Sequence, residues 1–188
     1  MANVNGAYGL RPSRHLKGGT IRMSEYSIAS ELAADIKCGD PVELTGTGRN
    51  ITLAAADNAD SIGVFMGCNY VDSTGSHKFS KQWVSGQVGT EAVAHVCDDP
   101  DVVYTGQATT IAEGDIGQLA DWDGTAGNAS TGISGNQIDG TSYAATGGAL
   151  RVLGLVKEPG NDYGAYAKVE VVFAEHVLGN VVSGVGGV

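Results

Sequence analysis

The chain contains no apolar run approaching the roughly eighteen residues of a membrane-crossing helix, and its N-terminus carries no apolar signal segment. Both absences point to a soluble product made and kept in a cytoplasm. Cysteine is scarce: Cys38, Cys68 and Cys97 are odd in number, widely spaced and without a C-x-x-C pair. That excludes a disulfide framework and a zinc cluster, and predicts buried, reduced thiols. Basic residues are outnumbered, 11 against 21 acidic ones, for a net charge of −10. The main body therefore lacks the cationic stripe that binds nucleic acid by releasing counterions from phosphate. Its acidic excess suits an abundant, soluble protein. No G-x-x-x-x-G-K-[ST] phosphate loop is present, and "GTGRN" (46–50), lacking the lysine, reads as a hairpin turn. No G-x-S-x-G elbow is present either.

Glycine, by contrast, is abundant at 29 of 188 residues, with only 4 prolines. Glycine at about twice its usual share, with ordinary apolar content, favours short strands joined by turns over helices or disorder. Short apolar runs bounded by Gly, Asn, Asp and Ser predict strands within 20–29, 35–45, 50–55, 61–72, 77–84, 91–98, 102–108, 115–120, 150–158 and 165–176. In the last, Val169, Val171 and Phe173 alternate with Lys168, Glu170 and Val172, the period of a half-buried antiparallel strand. Only 29–35 and 109–115 could form a helical turn. The fold class expected is all-β, an antiparallel β-sandwich or small barrel.

A short internal repeat suggests two similar β modules. "GDPVEL" (39–44) and "GDIGQL" (114–119) each precede a strand interrupted by glycine, "SIGVFMG" (61–67) and "RVLGLVK" (151–157). A later strand then carries a large aromatic, Trp83 or Phe173. Glycine within such a strand predicts a bulge or a close backbone approach. The resulting division is an extended basic arm over 1–22, a first module over 23–110, a second over 111–178 and a Gly/Val tail over 179–188. Residues 120–148, nearly devoid of bulky side chains except Trp122, Ile133, Ile138 and Tyr143, read as a long surface loop of the second module.

Charge is distributed unevenly. Residues 1–22 contain Arg11, Arg14, Lys17 and Arg22 and no acid, +4, leaving 7 cations against 21 acids, −14, in the remainder. Tyr8, Leu10, Pro12 and Leu16 are interleaved with these cations and His15. The pattern predicts an amphipathic extended arm lying on an acidic partner. The four histidines are scattered, and Cys97 with His95 and Asp98 is the nearest approach to a nucleophile and base. On a strand, however, 95 and 97 share a face while 98 points away, so the stretch reads as a strand end entering the turn "DDPD" (98–101). Neither "DDPD" nor "DWDG" (121–124) completes a calcium loop, and both read as turns. No catalytic, cofactor-binding or metal residues are assigned.

The phrases "MANVNGAYGLRPSRHLKGGTIR", "EYSIAS", "GDPVELTGTGRNITLAAA", "SIGVFMGCNYVDSTG", "FSKQW" and "DDPDVVYTGQA", and later "GLVKEPGNDYGAYAKVEVVFAEH" (154–176), resemble the head decoration, or cement, proteins of tailed bacteriophages. The resemblance covers most of 1–110 and 154–176. It implies a non-enzymatic virion protein without cofactors, made in the host cytoplasm and bound to the outer surface of an icosahedral shell. Its partners would be the major capsid protein and further copies of itself, most often as a homotrimer and in some phages a dimer, with neither nucleic acid nor membrane involved. Tyr8, Leu10, Arg11, Arg14, His15, Lys17 and Arg22 then become the candidate capsid-contact residues. Apolar strands and the Gly/Val tail could pair with a neighbour's edge strand. Two other readings stay open: a tail or fibre module with glycan-binding loops, which predicts exposed Trp122 and Tyr143, and a hydrolase of unrecognised type.

Overall fold

The computed structural model describes residues 3–56 and 60–179. The expectation for the tail falls almost wholly outside them. The chain is nearly all β, in two main antiparallel sheets. The first contains β2 (Ser24–Ser27), β4 (Pro41–Leu44), β5 (Ile51–Leu53), β6 (Ser61–Val71), β7 (His77–Ser80) and β9 (Thr90–Cys97). Its order is β2-β9-β6-β4-β5, with β7 paired to the far half of β6. The second contains β1 (Arg11–His15), β10 (Val102–Gln107), β12 (Leu119–Ala120), β13 (Leu150–Leu155) and β15 (Lys168–Phe173), in the order β1-β10-β15-β13-β12. Two small ribbons complete the set: β3 (Ile36–Lys37) with β8 (Gln82–Trp83), and β11 (Thr110–Ile111) with β14 (Gly164–Ala165). Both main sheets are open, so the architecture is a sandwich, not a closed barrel.

Two apolar clusters hold the sheets together. One gathers Tyr26, Ile36, Val42, Ile51, Ile62, Phe65, Trp83, Ala94 and Val96. The other gathers Leu10, Tyr104, Trp122, Ile138, Leu150, Val152, Val169, Val171 and Phe173, with Val64 and Cys97 of the first sheet added. Adjacent residues Val96 and Cys97 thus serve opposite clusters, as expected of a strand buried on both faces. In β6 the switch between Ile62 and Val64 falls where Val42 and Glu43 pair with Gly63 and Ser61, skipping Ile62. A bulge of this kind re-aims a side chain. Gly63 sits at φ 147°, and a Cβ there would overlap the carbonyl oxygen of Cys97, so glycine lets β6 and β9 approach. The glycine-interrupted strands expected from sequence are present, with register shifts at Phe65/Gly67 and Val152/Gly154. In β15, Val169 and Val171 are fully buried and Phe173 nearly so.

Several expectations need correction. The sheets do not divide at residue 110: β10 and β1 belong to the second sheet, and the chain crosses between sheets at 98–101. The arm over 1–22 is not a free extension, because β1 is an edge strand paired with β10. The repeat matches only in part. The segments after each Gly-Asp do form β4 beside β6 and β12 beside β13. Trp83, however, lies in β8 against β3, whereas Phe173 lies in β15 against β13. Of the two candidate helical turns, 109–115 yields a single 3-10 turn, Glu113–Asp115, and 29–35 yields none.

Residues 120–148 are not a surface excursion. Ile133 bridges to Cys38, and Ile138 bridges to both Ala108 and Trp122. Gln82 Nε2 donates to the Ala129 carbonyl at 2.9 Å, and Ser134 N to the Cys38 carbonyl at 3.0 Å. The segment therefore crosses from the second sheet onto the β3–β8 ribbon. Burial of Trp122 and Ile138, at 2% and 1% exposure, anchors it, each contributing on the order of 2 kcal/mol by apolar burial.

Candidate functional site

The seven predicted contact residues span β1 and its flanks, from Tyr8 and Leu10 before it to Lys17 and Arg22 after it. The structure sorts them by burial and partner. Leu10 is a correction: at 2% exposure it is part of the core, and its N–H donates to the Gly39 carbonyl at 2.9 Å. An apolar side chain flanked by cations suits a contact surface and a core equally well in sequence; here the strand pairing turns it inward. Tyr8 is half-buried, with the Arg11 guanidinium 4.6 Å from its ring centre. Burial raises the Tyr8 hydroxyl pKa above its ordinary value. Arg11 is exposed and has no ion pair among the described residues.

The remaining four find their acidic partner inside the same chain. Arg14 Nη2 meets Glu170 Oε2 at 2.7 Å, and Lys17 Nζ meets Asp101 Oδ2 at 2.7 Å. His15 Nε2 lies 3.4 Å from Asp99 Oδ2 while its Nδ1 accepts from Lys17 N at 3.1 Å. Arg22 Nε donates to Asp98 Oδ1 at 3.3 Å, and the Tyr26 hydroxyl donates to Asp98 Oδ2 at 2.9 Å. Every carboxylate of the "DDPD" turn is thus engaged by residues of the basic segment. The charge asymmetry of the sequence is in large part an internal clasp. His15, Asp99 and Asp101 bring ligand atoms within 4.8 Å of one another, but Lys17 already occupies both His15 Nδ1 and Asp101. Upstream, Asn3 Nδ2 donates to the carbonyls of Asp162 and Ala165, and buried Gln107 Nε2 donates to those of Val4 and Tyr166. The segment is stitched to the body from Asn3 onward.

The residues weighed for catalysis do not converge. Cys97 is fully buried, accepts from the Tyr104 hydroxyl at 3.3 Å, and has its thiol pKa pushed up by burial, opposite to what a nucleophile needs. His95 Nε2 is 3.0 Å from Asn69 Oδ1 and not directed to Cys97. Trp122, expected exposed in the glycan-binding reading, is buried and packs edge-on to Phe173 with ring centres 6.5 Å apart. Tyr143 is half-buried, its hydroxyl donating to the Thr110 carbonyl at 3.0 Å.

One surface feature was passed over in the sequence, where "HKFSKQWV" read simply as a strand. The β6–β7 hairpin presents Phe79 at 85% exposure, between exposed Lys78 and Lys81 and following exposed His77. Among the described residues β7 pairs only with β6, leaving its outer edge open. Its turn is rigid: Asp72 Oδ1 accepts from Thr74 N at 2.8 Å, the Thr74 hydroxyl at 2.6 Å and Ser76 N at 3.0 Å. These bonds, the Thr74 hydroxyl foremost, hold the Asp72 carboxyl at about 2. The run of cations around a single aromatic in an acidic chain is the signal that could have found it. Comparison with known proteins finds no family model that matches the chain and no curated protein that matches it significantly.

Proposed function

We propose that this protein is a structural component of a tailed-phage head, binding the outside of the icosahedral shell and cementing neighbouring major capsid protein subunits. The reading rests on the resemblance of its sequence phrases, and one structural observation supports it above others: the rigid β6–β7 hairpin offering Phe79 beside Lys78 and Lys81. An exposed aromatic on an open strand edge, flanked by cations, suits an acidic or mixed protein surface. Aromatic anchors of this kind carry much of the energy of protein interfaces. The open edge can also accept a neighbour's strand through backbone hydrogen bonds.

The internal clasp moves the contact role away from Arg14, His15, Lys17 and Arg22, which are already paired, and leaves exposed Arg11, which has no ion pair among the described residues, beside half-buried Tyr8. A body already fixed by its own ion pairs loses little further conformational freedom on docking, which favours binding. Association as a homotrimer or dimer would multiply weak hairpin contacts. Ligand that binds only the assembled shell stabilises that shell by mass action, here against the pressure of packaged DNA.

The test is sedimentation of a phage-infected host lysate containing either the full chain or its Phe79→Asp variant. Full chain running with megadalton particles at fixed stoichiometry to a major shell protein, with the variant left at the top, supports the reading. Full chain remaining at the top as a small oligomer overturns it. Deleting residues 1–22 is unsuitable, because it would remove an edge strand and Leu10 from the core.

A further inference from the structure

Where the apolar cluster containing Tyr26 and Ile62 reaches the surface, a groove of about 430 Å³ opens. Tyr26, Ile62 and Asp98, all buried, form its floor, and its accessible walls include Arg22, Leu44, Arg49 and Leu178. The Arg49 guanidinium lies 4.5 Å from the centre of the Tyr26 ring. Arg49 is exposed and has no ion pair among the described residues. Its backbone is held as well, the carbonyl accepting from Ser27 N at 3.0 Å. Tyr26 is fixed in turn by its hydroxyl, which donates to Asp98 Oδ2 at 2.9 Å. Arg22 meets the other oxygen of Asp98 through Nε at 3.3 Å, and its side chain stays 56% exposed.

The groove therefore carries two guanidiniums against one carboxylate, a local excess of one positive charge in a chain of net charge −10. A polyanion would be repelled by the rest of the chain, whereas a single carboxylate balances the groove. A guanidinium fork matches a carboxylate in two-point geometry. An arginine already stacked on an anchored ring loses little further freedom in engaging one. Leu44 is half-buried and Leu178 is 49% exposed, so an apolar group beside the carboxylate would cover both and gain by leaving water. The volume, about that of fourteen water molecules, takes two neighbouring side chains and is too large for an ion alone.

We propose that this groove receives an acidic side chain and an adjacent apolar side chain of a partner polypeptide. The carboxylate sits on Arg49, the apolar side chain lies on Leu44 and Leu178, and the Nη groups of Arg22, which the Asp98 pairing leaves unused, assist. This surface is separate from the β6–β7 hairpin: Ile62 lies seven positions along β6 from Asn69, the partner of Phe79, a span of about 23 Å. The proposal rests on the groove alone and stands or falls independently of shell binding.

The test is NMR titration of the purified full chain with N-acetyl-L-glutamyl-L-leucinamide, its uncharged isostere N-acetyl-L-glutaminyl-L-leucinamide, and N-acetyl-L-glutamyl-L-serinamide. The signals followed are the Arg49 Nε–H and the Leu44 and Leu178 methyls. The expected result is a saturable shift of these signals with the glutamyl-leucine compound, at an affinity about threefold or more above the other two. Arg49→Gln removes the preference for glutamate over glutamine, and Leu178→Ser removes that for leucine over serine. No saturable shift up to about 50 mM, equal binding of either control compound, or unchanged preferences in the folded variants would overturn the proposal. So would a different occupant in the peptide-free sample: Overhauser contacts from residues 180–188 to the Leu44 methyls would give the groove to the chain's own tail, and concentration-dependent shifts of the same signals would give it to a second copy.

Discussion

If the basic N-terminal segment is held by apolar burial and strand pairing more than by its charges, Leu10→Ala must damage the protein far more than Lys17→Gln. Leu10 is 2% exposed and belongs to the cluster containing Tyr104, Ile138 and Val169. It also packs tightly beside Gly106, where an added Cβ would lie 3.2 Å from Leu10 Cδ2. Truncation of a buried leucine costs about 2–5 kcal/mol, the upper end applying where neighbours cannot collapse. The packed sheet on one side and the crossing segment on the other place Leu10 near about 3 kcal/mol. Lys17 has a side chain 74% exposed, and an ion pair so solvated contributes at most about 1 kcal/mol. With a urea slope of about 2 kcal/mol per molar, Leu10→Ala lowers the midpoint by about 1.5 M and Lys17→Gln by less than about 0.5 M. Trp122 shares the Leu10 cluster and Trp83 lies in the other, so fluorescence in a Trp83→Phe background reports the relevant core. Raising salt to about 0.5 M, where screening acts beyond about 4 Å, should leave the Leu10→Ala deficit unchanged. A loss below about 1 kcal/mol for Leu10→Ala, or a larger one for Lys17→Gln, would refute the reasoning.

Gly63→Ala, at φ 147° with its new Cβ overlapping the Cys97 carbonyl, should cost more than about 3 kcal/mol, read as urea midpoint; near-native stability would contradict the close β6–β9 approach. Burial holds the His176 imidazole pKa below its ordinary 6.5. The unfolded chain therefore takes up a proton first as pH falls, and stability drops from about pH 7 toward pH 5; His176→Leu should flatten that slope in urea titrations at several pH values, and an unchanged slope would remove His176 as its source. Cys68, buried with its thiol pushed up to about 11, and Cys97 should react with a disulfide reagent at pH 8 only as fast as the protein unfolds, with partly exposed Cys38 reacting first; the reverse order would show that the sheets open locally. Phe79→Ser, at 85% exposure, should alter stability by less than about 0.5 kcal/mol in the same denaturation assay, and a larger loss would mean that Phe79 has structural packing partners.

The all-β class, most strand positions, the glycine-borne bulges and the inward face of β15 were determined by sequence alone, because period-two alternation and turn residues act over a few neighbouring positions. Val169, Val171 and Phe173 needed no tertiary information to be placed together on the inner face. The basic character of residues 1–22 was equally plain, but its partner was not. The acids it meets, Asp98, Asp99, Asp101 and Glu170, lie 76 to 156 residues away in sequence. Linear charge counting cannot distinguish an internal clasp from a docking arm. Leu10 and Trp122 were misread for a related reason: an isolated large apolar side chain among small or charged neighbours has no local periodicity to reveal its environment, and only strand pairing and the crossing of 120–148 enclosed it. The Asn136–Asp40 hydrogen bond depends on that same crossing, which joins residues 96 positions apart. Short-range pattern wrote the strands, and long-range packing decided which surfaces were left to meet a partner.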